Sequence, residues 1–260
     1  MRGFLRPLPV ILFATLSIFS ASSASAGWIE GTFTAGVMPV SEHHCVPATP
    51  GPHPAIILLH GAAKHINLRE SDFEKICMEL AAEGYFTEFI EYFSQTGAVG
   101  PERPLTMIED TPVWLAEIKA GLETIDKNPA VDPHRVAILG FSLGAYLALS
   151  AAATDPEQIA AVVEYYGGLP KRLQPRCATM PPVLIIHGEK DSIVPVTQAR
   201  TLDAVLTKYN RPHEMHLYPD ANHAFNFPGV PFWYSAADAQ DAWMHTLSFL
   251  NRYVKNEGAH

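Results

Sequence analysis

Short apolar runs rich in β-branched residues alternate along the chain with segments of helical periodicity, and this alternation constrains the fold more than any other feature. Several runs are apolar on both faces, as the central strands of a parallel sheet must be. The runs span residues 54–60, 86–93, 135–140, 160–166, 182–187 and, with weaker alternation, 213–218. Strands that alternate with helices predict a doubly wound, mostly parallel α/β sheet with right-handed crossovers.

The helical segments between the strands carry recognisable ends. Ser71 and Glu74 form a capping-box pattern, Pro112 stands where proline is favoured in a first turn, and Ser235 is a favoured N-cap residue. The predicted helices cover residues 71–83, 112–126, 143–153, 196–209 and 235–254. We expect residues 28–44 to add an antiparallel hairpin at the edge of the sheet.

The first 26 residues have the three parts of a secretory signal peptide. Arg2 and Arg6 supply the positive start, residues 8–19 are apolar, and residues 24–26 read Ala-Ser-Ala. A transmembrane anchor is the alternative, but it would need about 20 apolar residues. We expect the signal to be cleaved, which predicts a secreted or periplasmic protein without stable membrane insertion, and one domain over residues 27–260.

The charge balance of the chain excludes some partners. Its 260 residues carry 18 Lys and Arg against 27 Asp and Glu, a net charge of −9 at pH 7. Nucleic acids and anionic membranes are disfavoured because they are bound through basic side chains that release counterions. With 48% hydrophobic and 17% charged residues, the chain is also too apolar for a disordered protein.

Three cysteines allow one disulfide and leave one thiol. Cys77 falls on the apolar side of a predicted helix, so we expect it to be a buried thiol. Cys45 and Cys177 lie in proline-rich loops and are the better candidate pair. The three are too far apart in sequence for a C-x-x-C motif, which leaves a zinc or thiol-redox site unsupported.

Ser142 is the candidate nucleophile. It stands in the motif Gly140-Phe141-Ser142-Leu143-Gly144, between a predicted strand and a predicted helix. This is the context of a nucleophile elbow, in which the glycines permit a sharp turn that lifts the serine hydroxyl above the sheet. An N-capping serine at an ordinary turn is the alternative.

A serine needs a base and a carboxylate behind it, in the chain order Ser, Asp, His. Asp191 follows the strand 182–187, and His223 lies in the loop after the last strand. Glu189 and Asp220 are the competing acids, and Asp191 could instead cap the next helix. We predict that Ser142, Asp191 and His223 form a catalytic triad.

The oxyanion formed by serine attack needs two hydrogen-bond donors. One is the backbone N–H of Leu143, next to the nucleophile, and the other should come from the loop after the strand 54–60. Glycine at position 61 permits close backbone approach there. We therefore predict Ala62 as the second donor, with Ala63 as the alternative.

Four motifs in this order resemble the dienelactone hydrolase family of the α/β-hydrolases. They are HG (60–61), GFSLG (140–144), HGEKD (187–191) and NHAF (222–225), and the resemblance covers residues 50–253. It implies a lidless, single-domain α/β-hydrolase fold and the hydrolysis of esters or lactones. The founding members of the family use a cysteine nucleophile with a nearby glutamate, whereas this chain has Ser142 and Gly61 at those positions. They also bind a substrate carboxylate through an arginine four residues after the catalytic histidine, a position held here by Phe227.

Aromatic side chains near the motifs bear on the substrate. Phe141, Phe227 and Trp233 predict an apolar pocket for an uncharged ester, although each could instead pack the last helix onto the sheet. The sequence therefore predicts a serine-dependent hydrolase of neutral, short-chain or aryl carboxylic esters that needs no cofactor or metal. The alternatives are a peptidase of the prolyl-oligopeptidase type, a true dienelactone hydrolase acting on an anionic lactone, and a catalytically silent binding protein of the same fold.

Overall fold

Eight strands form one sheet in the computed structural model, which describes residues 27–62, 70–96 and 104–255. The strands are β1 (Ile29–Ala35), β2 (Met38–Cys45), β3 (His53–Leu59), β4 (Phe86–Ile90), β5 (Val131–Phe141), β6 (Ala161–Tyr165), β7 (Val183–Gly188) and β8 (His213–Tyr218). The six predicted strands and the predicted hairpin are confirmed. The predicted signal peptide lies outside the described residues.

The order of the strands is β1-β2-β4-β3-β5-β6-β7-β8. The edge hairpin is antiparallel, β2 pairs antiparallel with β4, and all other neighbours are parallel. The predicted α/β class and the mostly parallel sheet are therefore confirmed. Because the carboxyl ends of β3, β5, β6, β7 and β8 lie at one edge, the loops that follow them converge there.

Five α-helices cover the two faces of the sheet within the described residues. They are α1 (Glu70–Ala82), α2 (Pro104–Asp126), α3 (Leu143–Thr154), α4 (Thr197–Lys208) and α5 (Ala236–Leu250). Apolar residues of α2, α3 and α4 fill one core layer, and those of α1 and α5 fill the other. Ser235 caps α5 as predicted by accepting from Asp238 N (3.4 Å). The predicted start of α2 is wrong, because the helix begins at Pro104 and continues through Pro112.

The predicted cysteine pairing is also wrong. Cys45 is bonded to Cys77, with their Cα atoms 5.8 Å apart, and Cys177 is the buried free thiol. The reason is topological: Cys45 and Cys77 lie in a small cluster where α1 covers β2 and β4, whereas Cys177 packs in the core layer of α2, α3 and α4. Loop composition carries no information about which face of the sheet a loop reaches.

Candidate active site

Ser142 occupies a strained turn at the carboxyl end of β5. Its φ of 53° is positive, which is rare for a residue with a side chain, and α3 begins at the next residue. The flanking glycines make the turn possible. A Cβ on Gly140 would lie 2.4 Å from Gly144 O, and one on Gly144 would lie 2.5 Å from the carbonyl oxygen of His60. The G-x-S-x-G pattern is thus required by close backbone approach between β3, the turn and α3.

The structure brings together the three residues predicted as a triad. Ser142 Oγ donates to His223 Nε2 (3.0 Å), and the Nδ1–H of His223 donates to Asp191 Oδ2 (2.8 Å). The side chains of His223 and Asp191 are 1% and 0% exposed. Burial excludes competing water from the Asp191–His223 bond, which fixes the ring with Nε2 towards the serine hydroxyl.

Asp191 is held as an ionised acceptor. Its Oδ1 accepts from the backbone N–H groups of Ile193 (2.9 Å) and Val194 (2.8 Å). Burial by itself would raise the pKa of Asp191, but hydrogen bonds from His187 and His223 and the backbone N–H groups lower it well below its usual value. The carboxylate therefore stays charged while it orients His223.

The competing acids lie elsewhere. Glu189 pairs with Arg200 of α4, and Asp220 is fully exposed to solvent and accepts from Lys190 Nζ (2.6 Å). Each is satisfied at the surface by a cation. Asp191 is thus the acid that the fold directs towards His223.

Asn222 and Tyr166 support the site, and sequence reasoning missed both. Asn222 Oδ1 accepts from the backbone N–H groups of Ser192 (2.9 Å) and His223 (2.7 Å), which ties the loop of the acid to the loop of the base. Tyr166 has a φ of 43°, and its ring centroid lies 4.5 Å from that of His223. Asn222 stands beside His223 in the sequence, so an amide next to the base was the available signal.

The two predicted oxyanion donors are next in sequence to Ser142 and to Gly61, a glycine that approaches Ser142 closely. Leu143 is the first residue of α3, where backbone N–H groups have no partner within the helix. Ala62 follows Gly61, at which a Cβ would lie 3.3 Å from Ser142 Cβ, so the loop after β3 passes against the nucleophile. The alternative donor Ala63 lies outside the described residues.

His60 stabilises that loop. Its Nδ1–H donates to Gly61 O (2.7 Å), its own carbonyl accepts from the Tyr92 hydroxyl (2.6 Å), and the His60 and Tyr92 rings stack at 4.2 Å. Burial lowers the pKa of His60 to about 4, although the bond to Gly61 O opposes this. The ring is therefore neutral at neutral pH, and its role is to shape the loop.

The predicted aromatic pocket needs correction. Phe141 and Phe227 are 1% and 2% exposed and pack edge to face, 5.1 Å apart, in the core layer of α1 and α5. They border a cavity of about 430 Å³ whose lining includes none of the candidate triad. Of the three residues, Trp233 approaches the site, with its ring 6.4 Å from that of His223. The Phe227 ring also packs against the Phe73 ring, with their centroids 5.7 Å apart.

A second cavity reaches Leu143, the residue after Ser142, although its lining likewise includes none of the candidate triad. It has about 440 Å³ and runs along one face of α3, where Leu143, Tyr146, Leu147 and Ser150 recur at helical spacing. The remaining lining comes from α2, from the segment after β6 and from α4: Thr111, Leu169, Pro170, Lys171, Arg172, Gln174, Gln198 and Thr201. Among the residues whose side chains are described, the cavity lining has no acidic member, and Lys171 and Arg172 are exposed. Because Leu143 follows Ser142 directly, this cavity begins beside the candidate oxyanion site.

The described residues hold no cluster of three or more His, Cys, Asp or Glu side chains that could bind a metal ion. Within the same ranges, no helix has the length and hydropathy required to cross a bilayer.

The profile of the dienelactone hydrolase family matches residues 41–254. The chain belongs to this family. A protein of Escherichia coli strain K12 named "Putative carboxymethylenebutenolidase" is 29% identical over 223 residues, which cover 78% of each chain. Family membership establishes a hydrolase.

Solved structures agree with this assignment. The "Putative Dienelactone Hydrolase" from Klebsiella pneumoniae subsp. pneumoniae MGH 78578 superposes with a TM-score of 0.73 at 25% identity, covering 86% of this chain and 99% of that chain. Acylaminoacyl peptidase from Pyrococcus horikoshii has a TM-score of 0.73 at 15% identity, covering 92% of this chain and 43% of that chain. The second likeness shows the fold alone. The expected α/β-hydrolase fold and the expected family are both confirmed.

Proposed function

We propose that this dienelactone hydrolase family member is a serine-dependent hydrolase of carboxylic esters that works through an acyl-enzyme. One observation carries the proposal: Ser142 Oγ, on a strained turn, lies 3.0 Å from His223 Nε2, and His223 Nδ1 lies 2.8 Å from the buried Asp191. A base within hydrogen-bond reach, held by a third group, is what a serine requires to become a nucleophile.

The reaction follows from this arrangement. Ser142 Oγ bonds to the ester carbonyl carbon while its proton passes to His223 Nε2, and the N–H groups of Leu143 and Ala62 donate to the oxyanion. The carbon–alkoxide bond then breaks, and the alcohol leaves with the proton from His223. Water, deprotonated by His223, hydrolyses the acyl-enzyme and restores the serine. Asp191 keeps the ring oriented and stabilises its positive charge, and each step balances without a cofactor.

The cavity beside Leu143 is the proposed acyl pocket. Leu143, Tyr146, Leu147 and Ser150 give it an uncharged wall along α3, and a volume of about 440 Å³ lies within the usual range for sites that hold small ligands. We infer that neutral short-chain or aryl esters are the preferred substrates, since this wall is uncharged and the chain is acidic.

A second candidate is a dienelactone hydrolase that acts on an anionic lactone. The E. coli relative is named a carboxymethylenebutenolidase, and Lys171 and Arg172 line the cavity of this chain as exposed cations. A matched pair of p-nitrophenyl esters, one neutral and one with a carboxylate on its acyl group, separates the two readings by kcat/KM. Preference for the anionic ester that disappears in Lys171→Gln/Arg172→Gln would favour the lactone hydrolase.

A fluorophosphonate and a substrate panel test the proposal as a whole. The reagent should label wild type once per chain, at Ser142, and leave Ser142→Ala unlabelled. Turnover of p-nitrophenyl esters above that of aminoacyl p-nitroanilides would support the esterase, and the reverse order would support a peptidase. Absence of both labelling and turnover in folded protein would identify a silent binding protein and refute the proposal.

We also propose that the protein is exported and cleaved after Ala26. The Cys45–Cys77 disulfide supports this, because disulfides persist in oxidising compartments outside the cytoplasm. N-terminal sequencing of protein from the extracytoplasmic fraction should begin at Gly27, whereas an intact Met1 would refute export by cleavage.

A further inference from the structure

Two ionisable side chains are buried behind the candidate acid, and the proposed reaction does not use them. Glu164 lies near the end of β6 and His187 near the end of β7, and both are 0% exposed. In the register of these strands Glu164 pairs with Ile185. Alternate residues of a strand project to the same face, so Glu164 and His187 project to the face that is covered by α3.

His187 contacts the same oxygen of Asp191 as the catalytic base does. Its Nε2–H donates to Val194 O (2.9 Å) and lies 3.4 Å from Asp191 Oδ2, the atom that accepts from His223 at 2.8 Å. The backbone N–H of Val194 in turn donates to Asp191 Oδ1. His187 therefore holds both the carboxylate and the loop that carries it.

Glu164 is only partly satisfied. Its Oε2 accepts from Gly167 N (2.8 Å), whereas its Oε1 and His187 Nδ1 are both buried without a hydrogen-bond partner among the described residues. Burial raises the pKa of Glu164 to about 7, although the nearby His187 opposes this. Burial lowers the pKa of His187, but the bond to Asp191 and the charge of Glu164 outweigh it and leave that pKa raised. Glu164 thus changes charge near neutral pH, and His187 holds its proton to a higher pH than a free imidazole.

The surroundings of the pair contain few other charges. The ionisable groups that face it are Asp191 on the loop after β7, His223 on the loop after β8, Tyr166 after β6 and Tyr146 on α3. Burial and the charges of Glu164 and Asp191 raise the pKa of both tyrosines, that of Tyr146 to about 12. Tyr146 is therefore neutral in the working range. Arg200 of α4 forms an ion pair with Glu189 at the surface.

We propose that His187 is a positioning residue for Asp191 and that the carboxyl group of Glu164 sets the charge of His187. The inference rests on the proposed function of Ser142. As Glu164 ionises, its negative charge favours the protonated form of His187, which holds the Asp191 carboxylate. Because transfer of the serine proton makes His223 positive and Asp191 stabilises that charge, ionised Glu164 increases the reactivity of Ser142 through His187 and Asp191.

Glu164→Gln tests the electrostatic half of this inference. The rate constant for fluorophosphonate labelling and kcat for p-nitrophenyl acetate are measured from pH 5.5 to 9. The rise with pH in wild type should include an ionisation that is missing in Glu164→Gln, whose plateau should be about threefold to tenfold lower. Glu88→Gln is the matched control, because Glu88 is also a buried strand glutamate with an unpartnered Oε1 and a raised pKa, but lies on β4. It should give the wild-type curve.

His187 variants test the positioning half. His187→Leu removes the donor, so kcat should fall about tenfold to a hundredfold with KM unchanged within about twofold. His187→Gln keeps a donor near the Nε2 position and should retain kcat within about threefold, but should shift the Glu164 ionisation to higher pH because the neighbouring positive charge is lost. His213→Gln is the control, since the His213 ring bonds to Arg211 O (2.8 Å) and Asp203 (3.2 Å) far from the site.

Failure of this inference can be distinguished from failure of the proposed function. A wild type that is not labelled at all overturns both proposals. Normal labelling combined with the same pH curve in Glu164→Gln, or with equal kcat in His187→Leu and His187→Gln, overturns this inference alone. Ring ¹⁵N shifts of wild-type protein test it without any folding risk: a His187 ring that stays neutral from pH 5.5 to 9 would refute the coupling to Glu164.

Discussion

His223 and Ser142 are 81 residues apart in the chain, yet His223 Nε2 lies 3.0 Å from Ser142 Oγ at the carboxyl edge of the sheet. The loop after β8 carries the proposed base and the turn after β5 carries the proposed nucleophile. This contact fixes the direction of proton transfer, from the hydroxyl to a ring whose other nitrogen is already committed to Asp191.

The first prediction concerns that contact. Ser142→Ala and His223→Ala should each lower kcat by about four orders of magnitude or more, and the double variant should be little worse, because the residues act as one unit. Steady-state kinetics with p-nitrophenyl acetate measure this. If the two losses were multiplicative, the residues would be acting independently.

The identity of the acid is tested by a matched pair. Asp191→Asn should be severe but milder than loss of the base, since His223 would remain with a poorer orienting partner. Glu189→Gln removes a neighbouring acid whose partner is Arg200 and should leave kcat nearly unchanged. Near-normal turnover in Asp191→Asn with loss in Glu189→Gln would mean that the acid is Glu189.

The acyl cavity predicts a chain-length effect. Ser150 is 1% exposed and lies seven residues along α3 from Leu143, a distance of about 10 Å. Ser150→Leu should fill the far end of the cavity and lower kcat/KM for hexanoyl or benzoyl esters about tenfold, with acetyl esters unaffected. Thr154→Leu on the same helix, outside this cavity, is the control. Equal effects on all chain lengths would place the acyl group elsewhere.

The disulfide predicts a large stability effect. Cys45→Ser should lower the free energy of unfolding by about 2–4 kcal/mol, because the Cys45–Cys77 bond closes a long loop in the unfolded chain. Cys177→Ala should cost less, since it removes one buried thiol. Urea denaturation measures both, and alkylation of unreduced, unfolded protein should modify Cys177 alone. Recovery of a peptide linking Cys45 to Cys177 would contradict the pairing.

His60 predicts a loss of stability in acid. Its pKa, lowered by burial to about 4 in the folded chain against 6.5 in the unfolded one, means that the unfolded state binds the proton first as pH falls. The contribution is fully present above about pH 6.5 and is lost progressively towards pH 4, with a total of about 3 kcal/mol. The difference in unfolding free energy between wild type and His60→Gln should shrink by that amount. A difference in unfolding free energy that does not change with pH would show that burial does not lower the pKa of His60.

Much of this architecture could be predicted from the sequence because strand and motif signals are local. The run at 182–187 is apolar throughout, and Gly140 and Gly144 mark a turn whose glycines are sterically required. Asp191 and His223 could be placed because each follows a recognisable strand and parallel strands deliver their loops to one edge.

The features that could not be predicted from the sequence depend on the face of the sheet or helix from which a side chain projects. Phe227 lies four residues after His223, but its chain turns inward and buries the ring, so Phe227→Arg would place a charge in the core rather than in a substrate pocket. The sequence did not predict the cavity along α3, because the residues that line its two sides are distant in the chain. Tyr146 lies on α3 and Gln198 on α4. In the sequence Glu164 is one residue of an otherwise apolar strand, and only the register of β6 and β7 places it near His187.

The most direct test of the central claim is mass spectrometry of enzyme quenched during turnover of p-nitrophenyl acetate. We expect an acetyl group on the peptide that contains Ser142, present in wild type, increased in His223→Ala if deacylation slows more than acylation, and absent in Ser142→Ala. Steady ester hydrolysis with Ser142 unmodified, and equally fast in Ser142→Ala, would refute a serine-dependent acyl-enzyme.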